Sequence, residues 1–170
     1  MKVFFRNLGI GVFLAAGTVL INHALGFNTS RHDIGEISRN AVIVVLWCAI
    51  FVTIVQMRAL AGDEHNFLSA FRNGFLYSVF FSGAYALFMA FYQHFIHPRF
   101  YATYRAYFAG KPAVAKLAPE VLAATMRQFD MNYKGDFPTY ILLFLATGMG
   151  GVILSAIAAA LYRKPRKASP

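Results

Sequence analysis

Four long apolar runs dominate the sequence and constrain its fold more than any other feature. The run at 73–94, NGFLYSVFFSGAYALFMAFYQH, has no formal charge apart from its last histidine. A helix needs about 20 mostly apolar residues to cross a hydrocarbon core of about 30 Å. By this criterion the sequence predicts four membrane spans. They cover residues 4–26, 40–57, 71–95 and 137–162, and Asp136 is the predicted N-cap of the fourth.

The composition agrees with a membrane protein. Of the 170 residues, 58 % are hydrophobic and 14 % are charged, whereas a typical soluble domain has about 45–50 % and about 25 %. Too little polar surface remains to cover such a chain in water. We therefore predict an all-α integral membrane protein, 1–170 forming a single membrane domain. Its four transmembrane helices form a bundle, with one or two amphipathic interfacial helices between spans three and four.

The segment 98–136, between spans three and four, has a different character. Pro98 and then Gly110 with Pro112 bracket one predicted helix, and Pro119 opens another. Neither is long or apolar enough to cross a membrane, so both are expected to lie at the interface or to cap the bundle. A structured soluble loop is the alternative for the second. The expected apolar faces are Phe100, Tyr104, Tyr107 and Phe108 on the first helix, and Val121, Leu122, Thr125, Met126 and Phe129 on the second.

The positive charge favours a lipid surface over nucleic acid as the partner. The formal net charge is +9, and the Lys and Arg residues lie at the ends of the apolar runs rather than on one folded face. Each such residue near an anionic leaflet contributes about 1 kcal/mol. The basic tail, 163–170, together with Lys2 and Arg6, predicts cytoplasmic termini on a multi-pass protein of the bacterial inner membrane. The opposing basic residues lie mostly in the long connection, where charge weighs less.

Small residues recur at every fourth position of the third span, and a similar row follows the fourth. Residues four apart share a helix face, and in lipid close backbone approach holds helices together. We expect spans three and four to pack through these rows; homo-oligomerisation through the same surface is the alternative. The rows are Gly74, Ser78, Ser82, Ala86 and Ala90, and Thr147, Gly151, Ser155 and Ala159.

The sequence contains few residues or motifs typical of an enzyme active site. The seven acidic residues all fall outside the four predicted spans, and no Walker loop, HExxH or GxSxG motif is present. We therefore favour a non-enzymatic protein without a cofactor, and a membrane enzyme that uses His23, His94 and His97 is the third alternative. His94 and His97 share a helix face, and His23 ends the first span on the same membrane side. These three are candidate metal ligands; the alternative is that they bind water among the headgroups.

Several loose motifs run along the chain. They include FLSAFRNGFLYS before the third span, YQHFIHPRF after it, and ATGMGGVILSAIAAALYRK in the fourth. In these motifs the chain resembles the bacterial membrane proteins grouped as domain of unknown function 4199. The resemblance implies four spans in an inner membrane and carries no activity that could be transferred. One departure is His97, where the family pattern implies an acidic residue.

Two roles follow from these features. The first is a non-enzymatic assembly or accessory component, with a second copy or another membrane protein as partner. The second is a small transporter or lipid-handling protein that binds an amphipathic anionic molecule. A pocket open to the bilayer and lined by Tyr85, Tyr92 and His94 would favour the second role, and a filled interior the first. The expected headgroup contacts are Arg99, Arg105, Lys111 and Lys116.

Overall fold

The computed structural model describes residues 2–61 and 66–162, and it is 88 % helical with no strand in these ranges. The predicted basic tail, 163–170, lies outside the described residues. The helices are α1 (Lys2–Ala24), α2 (His32–Ala61), α3 (Phe67–Phe91), α4 (Phe100–Ala109), α5 (Pro112–Ala115), α6 (Pro119–Tyr133) and α7 (Phe137–Tyr162), and a π-helical turn (Tyr92–Ile96) extends α3. Four of them, α1, α2, α3 and α7, are long and apolar enough to cross a membrane. The predicted all-α membrane fold is confirmed.

The second helix is longer than the apolar run at 40–57 suggested. It begins at His32, so that Asp33 and Glu36 lie in its first two turns. The helix is therefore longer than the apolar run, and the two carboxylates lie outside the predicted span at 40–57. Partners elsewhere in the fold satisfy part of this polar start. Glu36, for example, accepts hydrogen bonds from the long connection.

Helix α3 lies at the centre of the bundle and contacts α1, α2 and α7. Its inward side chains include Tyr77 and Phe81, which are fully buried. The N-cap of α3 is Asn66, whose side chain accepts a hydrogen bond from the Ser69 backbone N–H at 2.9 Å. Asp136 caps α7 in the same way through Thr139, as its position before the fourth span predicted.

The closest helix pair is α3 with α7, and small residues make the approach possible. A β-carbon added at Gly74 would lie 2.6 Å from the Ser155 hydroxyl oxygen. One added at Gly151 would lie 2.6 Å from the Ser78 β-carbon. The two serine hydroxyl oxygens are 3.4 Å apart, and each serine donates to a carbonyl of its own helix. The backbones are therefore as close as these side chains allow.

Helices α4 to α6 cover one end of the bundle, which we call the connection side. Phe100 and Tyr104 of α4 are buried, and the Tyr104 ring packs against Phe129 of α6 with 5.1 Å between ring centroids. Pro119 opens α6 as predicted. Val121 departs from the expected apolar face, since it is exposed. The opposite end, where α1 starts, is called the amino-terminal side.

Adjacent glycines on α7 offer a test of the close approach. Gly151→Ala should lower the melting temperature in detergent, because overpacking a tight contact costs about 1–3 kcal/mol. Gly150→Ala is the matched control, since nothing lies within 4 Å of a β-carbon added at Gly150, and alanine favours a helix over glycine. Equal melting temperatures for the two variants would contradict this account of the α3–α7 contact.

Candidate functional site

A cavity of about 550 Å³ lies between α2, α3 and α7 on the connection side, with α4 and α6 above it. We call it the capped pocket. Its walls combine aromatic rings with hydrogen-bonding groups, the combination that small-molecule sites use for bulk binding and for orientation. The rings belong to Trp47, Tyr85, Phe100, Tyr104, Tyr133 and Tyr140, and the polar lining includes Glu36, Asn40, Gln93, Asn132 and Thr139.

The polar end of the capped pocket is organised around Glu36. One carboxylate oxygen accepts a hydrogen bond from the Tyr104 hydroxyl at 2.9 Å, and the other accepts from the Lys111 ammonium at 2.5 Å. Across the pocket, the Tyr140 hydroxyl donates to the Gln93 side-chain oxygen at 3.2 Å. The Lys111 ammonium and the Glu36 carboxylate balance each other's charge. The positive charge of Lys111 is therefore already compensated, and the pocket offers a ligand hydrogen-bonding groups.

The side of the capped pocket opens between α2 and α7. Ile43 and Trp47 on α2 are about half-exposed at 45 % and 44 %, and Ala146 on α7 is exposed, yet all three line the cavity. They belong to the middle stretches of helices apolar enough to cross a membrane. The opening therefore faces the surface that such helices present to lipid.

The three predicted metal-ligand histidines do not meet at one point. The rings of His23 and His97 are 5.1 Å apart between centroids, and His23 also contacts the Tyr92 hydroxyl through Nδ1 at 3.1 Å. His94 is exposed and contacts the Tyr140 hydroxyl at 3.3 Å. The π-helical turn accounts for this separation, because it changes the register that places residues three apart on one face. Residues 2–61 and 66–162 contain no group of three or more His, Cys, Asp or Glu side chains suited to a metal ion.

Two of the four expected headgroup cations already pair with carboxylates. Arg105 Nε lies 2.9 Å from Asp130, and Lys111 pairs with Glu36. Partial burial opposes ionisation of Asp130, but hydrogen bonds from Arg105 and Tyr101 outweigh it and lower the pKa of this carboxyl. Arg99 and Lys116 remain exposed at the connection side.

The small-residue rows meet in part. Gly74, Ser78, Gly151 and Ser155 form the contact already described. Ser82 faces Gly148 rather than Thr147: a β-carbon at Gly148 would lie 3.6 Å from the Ser82 hydroxyl oxygen. A row spaced by four drifts around a helix with 3.6 residues per turn, so the contact line shifts to a neighbouring residue.

The outer members of the rows have mixed surroundings. Ala86 and Ala159 are buried, Ala90 is half-buried, and Thr147 lines the capped pocket. Of the three side chains expected to line a pocket, Tyr85 does so, whereas Tyr92 is fully buried in the core. Glu36, Trp47 and Gln93 line the pocket although no sequence pattern predicted them there, since their meeting depends on which helices become neighbours.

These features define a class of protein: an all-α membrane bundle of four spanning helices with a helical cap over one end. A family model described as Protein of unknown function (DUF4199) matches residues 8–164, and the chain belongs to this family. The resemblance seen in the sequence motifs is confirmed. Comparison with curated proteins and with solved structures found no match.

The His97 environment predicts a pH-dependent stability. Burial lowers the pKa of His97, the nearby His23 adds to this, and a hydrogen bond to the Asn28 carbonyl opposes it. The unfolded chain therefore binds more protons below about pH 6.5. The contribution of neutral His97 to the free energy of unfolding is complete above that pH. It is lost as the pH falls towards the lower pKa that His97 has in the folded state. We expect the melting temperature in detergent to drop from about pH 7 to about pH 5.

The control for this prediction lies on the same turn. His97→Gln should flatten the drop in melting temperature with falling pH, whereas the exposed His94→Gln should keep the wild-type slope. The same slope in all three proteins would show that other groups cause the drop.

Proposed function

We propose that this protein binds an amphipathic, membrane-derived molecule in the capped pocket, as a lipid-handling protein or small transporter. The observation that carries the proposal is the shape of the cavity: a polar end under the α4–α6 cap and an apolar side that opens between α2 and α7. Its volume, about 550 Å³, falls within the range of about 300–1,000 Å³ that ligand sites occupy.

The charges of the pocket argue for a head without net negative charge. Glu36 lines the cavity and carries a carboxylate, while its cationic partner Lys111 is already bound to it. A second anion beside Glu36 would add repulsion in a medium of low dielectric. Asn40, Gln93 and Tyr140 offer both donors and acceptors to a neutral head. The expected anionic ligand therefore suits the exposed Arg99 and Lys116 at the surface better than this pocket.

The other expected role is that of an assembly or accessory component, and a tightly filled interior would have favoured it. Close packing is present between α3 and α7 on the amino-terminal side of the bundle. The space between α2 and α7 on the connection side is instead open and lined by polar groups. The polar groups there already have partners, as Glu36 has in Lys111 and Gln93 in Tyr140, and their remaining donors and acceptors can orient a polar-headed ligand.

The single tryptophan gives a direct readout, because Trp47 lines the pocket. A neutral amphiphile with a brominated chain, added at low mole fraction in detergent, should quench Trp47 fluorescence with saturation. Gly150→Leu should abolish the saturable quenching, since Gly150 lines the pocket and has open space around it. Gly9→Leu, which also meets nothing within 4 Å and lies outside the pocket, should leave it unchanged.

A second tryptophan position separates the pocket from bulk lipid. Phe13 lies mid-helix on α1 and is 76 % exposed, so Trp47→Phe with Phe13→Trp places the probe on the outer surface. Quenching there should rise in proportion to the amphiphile without saturating. If both probes respond alike, or if Gly150→Leu quenches like the wild type, the binding proposal fails and the assembly role gains support.

We also propose that both termini lie on the cytoplasmic side of a bacterial inner membrane. The support is the basic character of the ends and the even number of spanning helices. In a Cys48→Ala background, cysteines at Lys2 and at Ala115 should react with an impermeant reagent from opposite sides, with Lys2 accessible only from the cytoplasm. Both positions are exposed. Labelling of both from one side would contradict the proposed topology.

A further inference from the structure

A second cavity, of about 560 Å³, lies on the outer surface between α1 and α2, on the amino-terminal half of the bundle. We call it the α1–α2 groove. We propose that it holds one acyl chain of an anionic phospholipid, with the lipid phosphate at Arg6. This site is separate from the capped pocket and does not depend on the function proposed for that pocket.

The polar end of the groove holds Arg6 in place through neutral partners. Arg6 Nη2 donates to the Gln56 side-chain oxygen at 2.8 Å, and the same oxygen accepts from Asn7 Nδ2 at 3.0 Å. Asn7 is buried and also donates to the Thr53 hydroxyl at 3.2 Å. Its backbone carbonyl accepts from Tyr77 of α3 at 3.0 Å. The guanidinium is thus bound to Gln56 of α2 and to the neighbouring Asn7, and Asn7 in turn is held by α2 and α3 before any ligand arrives.

Arg6 has no acidic partner among the described residues, so its charge is available to a ligand. No carboxylate within residues 2–61 and 66–162 pairs with Arg6, and its Nη1 group has no hydrogen-bond partner in those ranges. A guanidinium has five N–H donors in a planar fork that matches phosphate oxygens. Because Gln56 fixes the side chain, little conformational freedom is lost when an anion binds.

The groove leads from Arg6 along the helices into apolar surroundings. Small residues, Gly11 and Ala49, lie along it, with a β-carbon at Gly11 3.5 Å from Ala49 Cβ. Exposed aliphatic side chains form its rims: Ile10 and Leu14 on α1, and Val44 and Val52 on α2. From Arg6 to Leu14 the helix rises about 12 Å, close to half of a hydrocarbon core of about 30 Å. A single acyl chain in one leaflet matches this length and this lining.

The surrounding charge favours an anionic lipid over a neutral one or a second copy of the chain. Within residues 2–61 and 66–162, the amino-terminal side carries four basic residues and no acidic one, and the connection side carries eight basic and five acidic residues. The higher positive charge therefore lies on the side of Arg6. A second copy would bring the same positive charge to this side and repel it, whereas an anionic headgroup is attracted.

The test uses the purified full chain in mild detergent, titrated with phosphatidylglycerol or phosphatidylcholine of identical chains and analysed by native mass spectrometry. The wild type should retain phosphatidylglycerol in preference to phosphatidylcholine. Arg6→Gln should weaken phosphatidylglycerol retention about fivefold, the equivalent of about 1 kcal/mol. Arg72→Gln removes an exposed cation on the same side and away from the groove, and it should change retention little.

A groove-filling variant tests the acyl chain separately from the headgroup. Cys48→Phe fills the exposed lining of the groove and leaves Arg6 intact, so it should also reduce phosphatidylglycerol retention. Gly150→Leu should retain the lipid like the wild type, which distinguishes this site from the capped pocket.

Three results would overturn the proposal. One is equal retention of the two lipids by the wild type. Another is an equal loss in Arg72→Gln and Arg6→Gln, which would indicate diffuse surface attraction. The third is full retention in Cys48→Phe, which would indicate a headgroup contact without a chain in the groove. Arg6→Gln also removes the hydrogen bond from Arg6 to Gln56, whereas Cys48→Phe leaves that bond in place. A loss of phosphatidylglycerol in both variants therefore has a cause other than the loss of this bond.

Discussion

The contact between α3 and α7 depends on backbones approaching closely in a solvent that supplies no hydrophobic force between helices. Gly74 against Ser155 and Gly151 against Ser78 allow this, since a β-carbon at either glycine would overlap the opposite serine. Each serine hydroxyl also donates to a carbonyl of its own helix, so the contact buries no unpaired donor there. The central helix is thereby fixed on α7, and α1 and α2 pack around this pair.

The position of the capped pocket follows from that arrangement. Helix α7 gives its closest surface to α3, and the surface that it turns towards α2 carries small side chains, such as Ala146 and Gly150. Small residues on one wall leave space that the larger Trp47 and Tyr85 do not fill. The α4–α6 segment closes the space from above through Tyr104, whose ring packs on α6 and whose hydroxyl reaches Glu36 of α2.

Polar groups gather in two organised clusters, one at the polar end of each cavity. Around Glu36 the charge is compensated within the protein, which suits a neutral head. Around Arg6, amide side chains are the partners of the guanidinium in the described part of the chain, which suits an anionic head. The two cavities thus differ in the charge that they leave unbalanced, although both combine an apolar wall with a polar end. This difference is the physical basis for assigning them different ligands.

The sequence by itself determined the four spanning segments, the helix that Pro119 opens within the long connection, the Asp136 cap and the small-residue faces of the third and fourth spans. Each of these features depends on the composition of one helix or on the spacing of residues within it. A short stretch of sequence is therefore enough to predict it. Tertiary structure alone decided that Glu36 meets Lys111 and that Arg6 meets Gln56, whereas the local π-helical turn separates His94 from His97. The first two pairs are 75 and 50 residues apart in the chain. Their meeting depends on which helices are neighbours, and the early start of α2 became visible only with its partners in place.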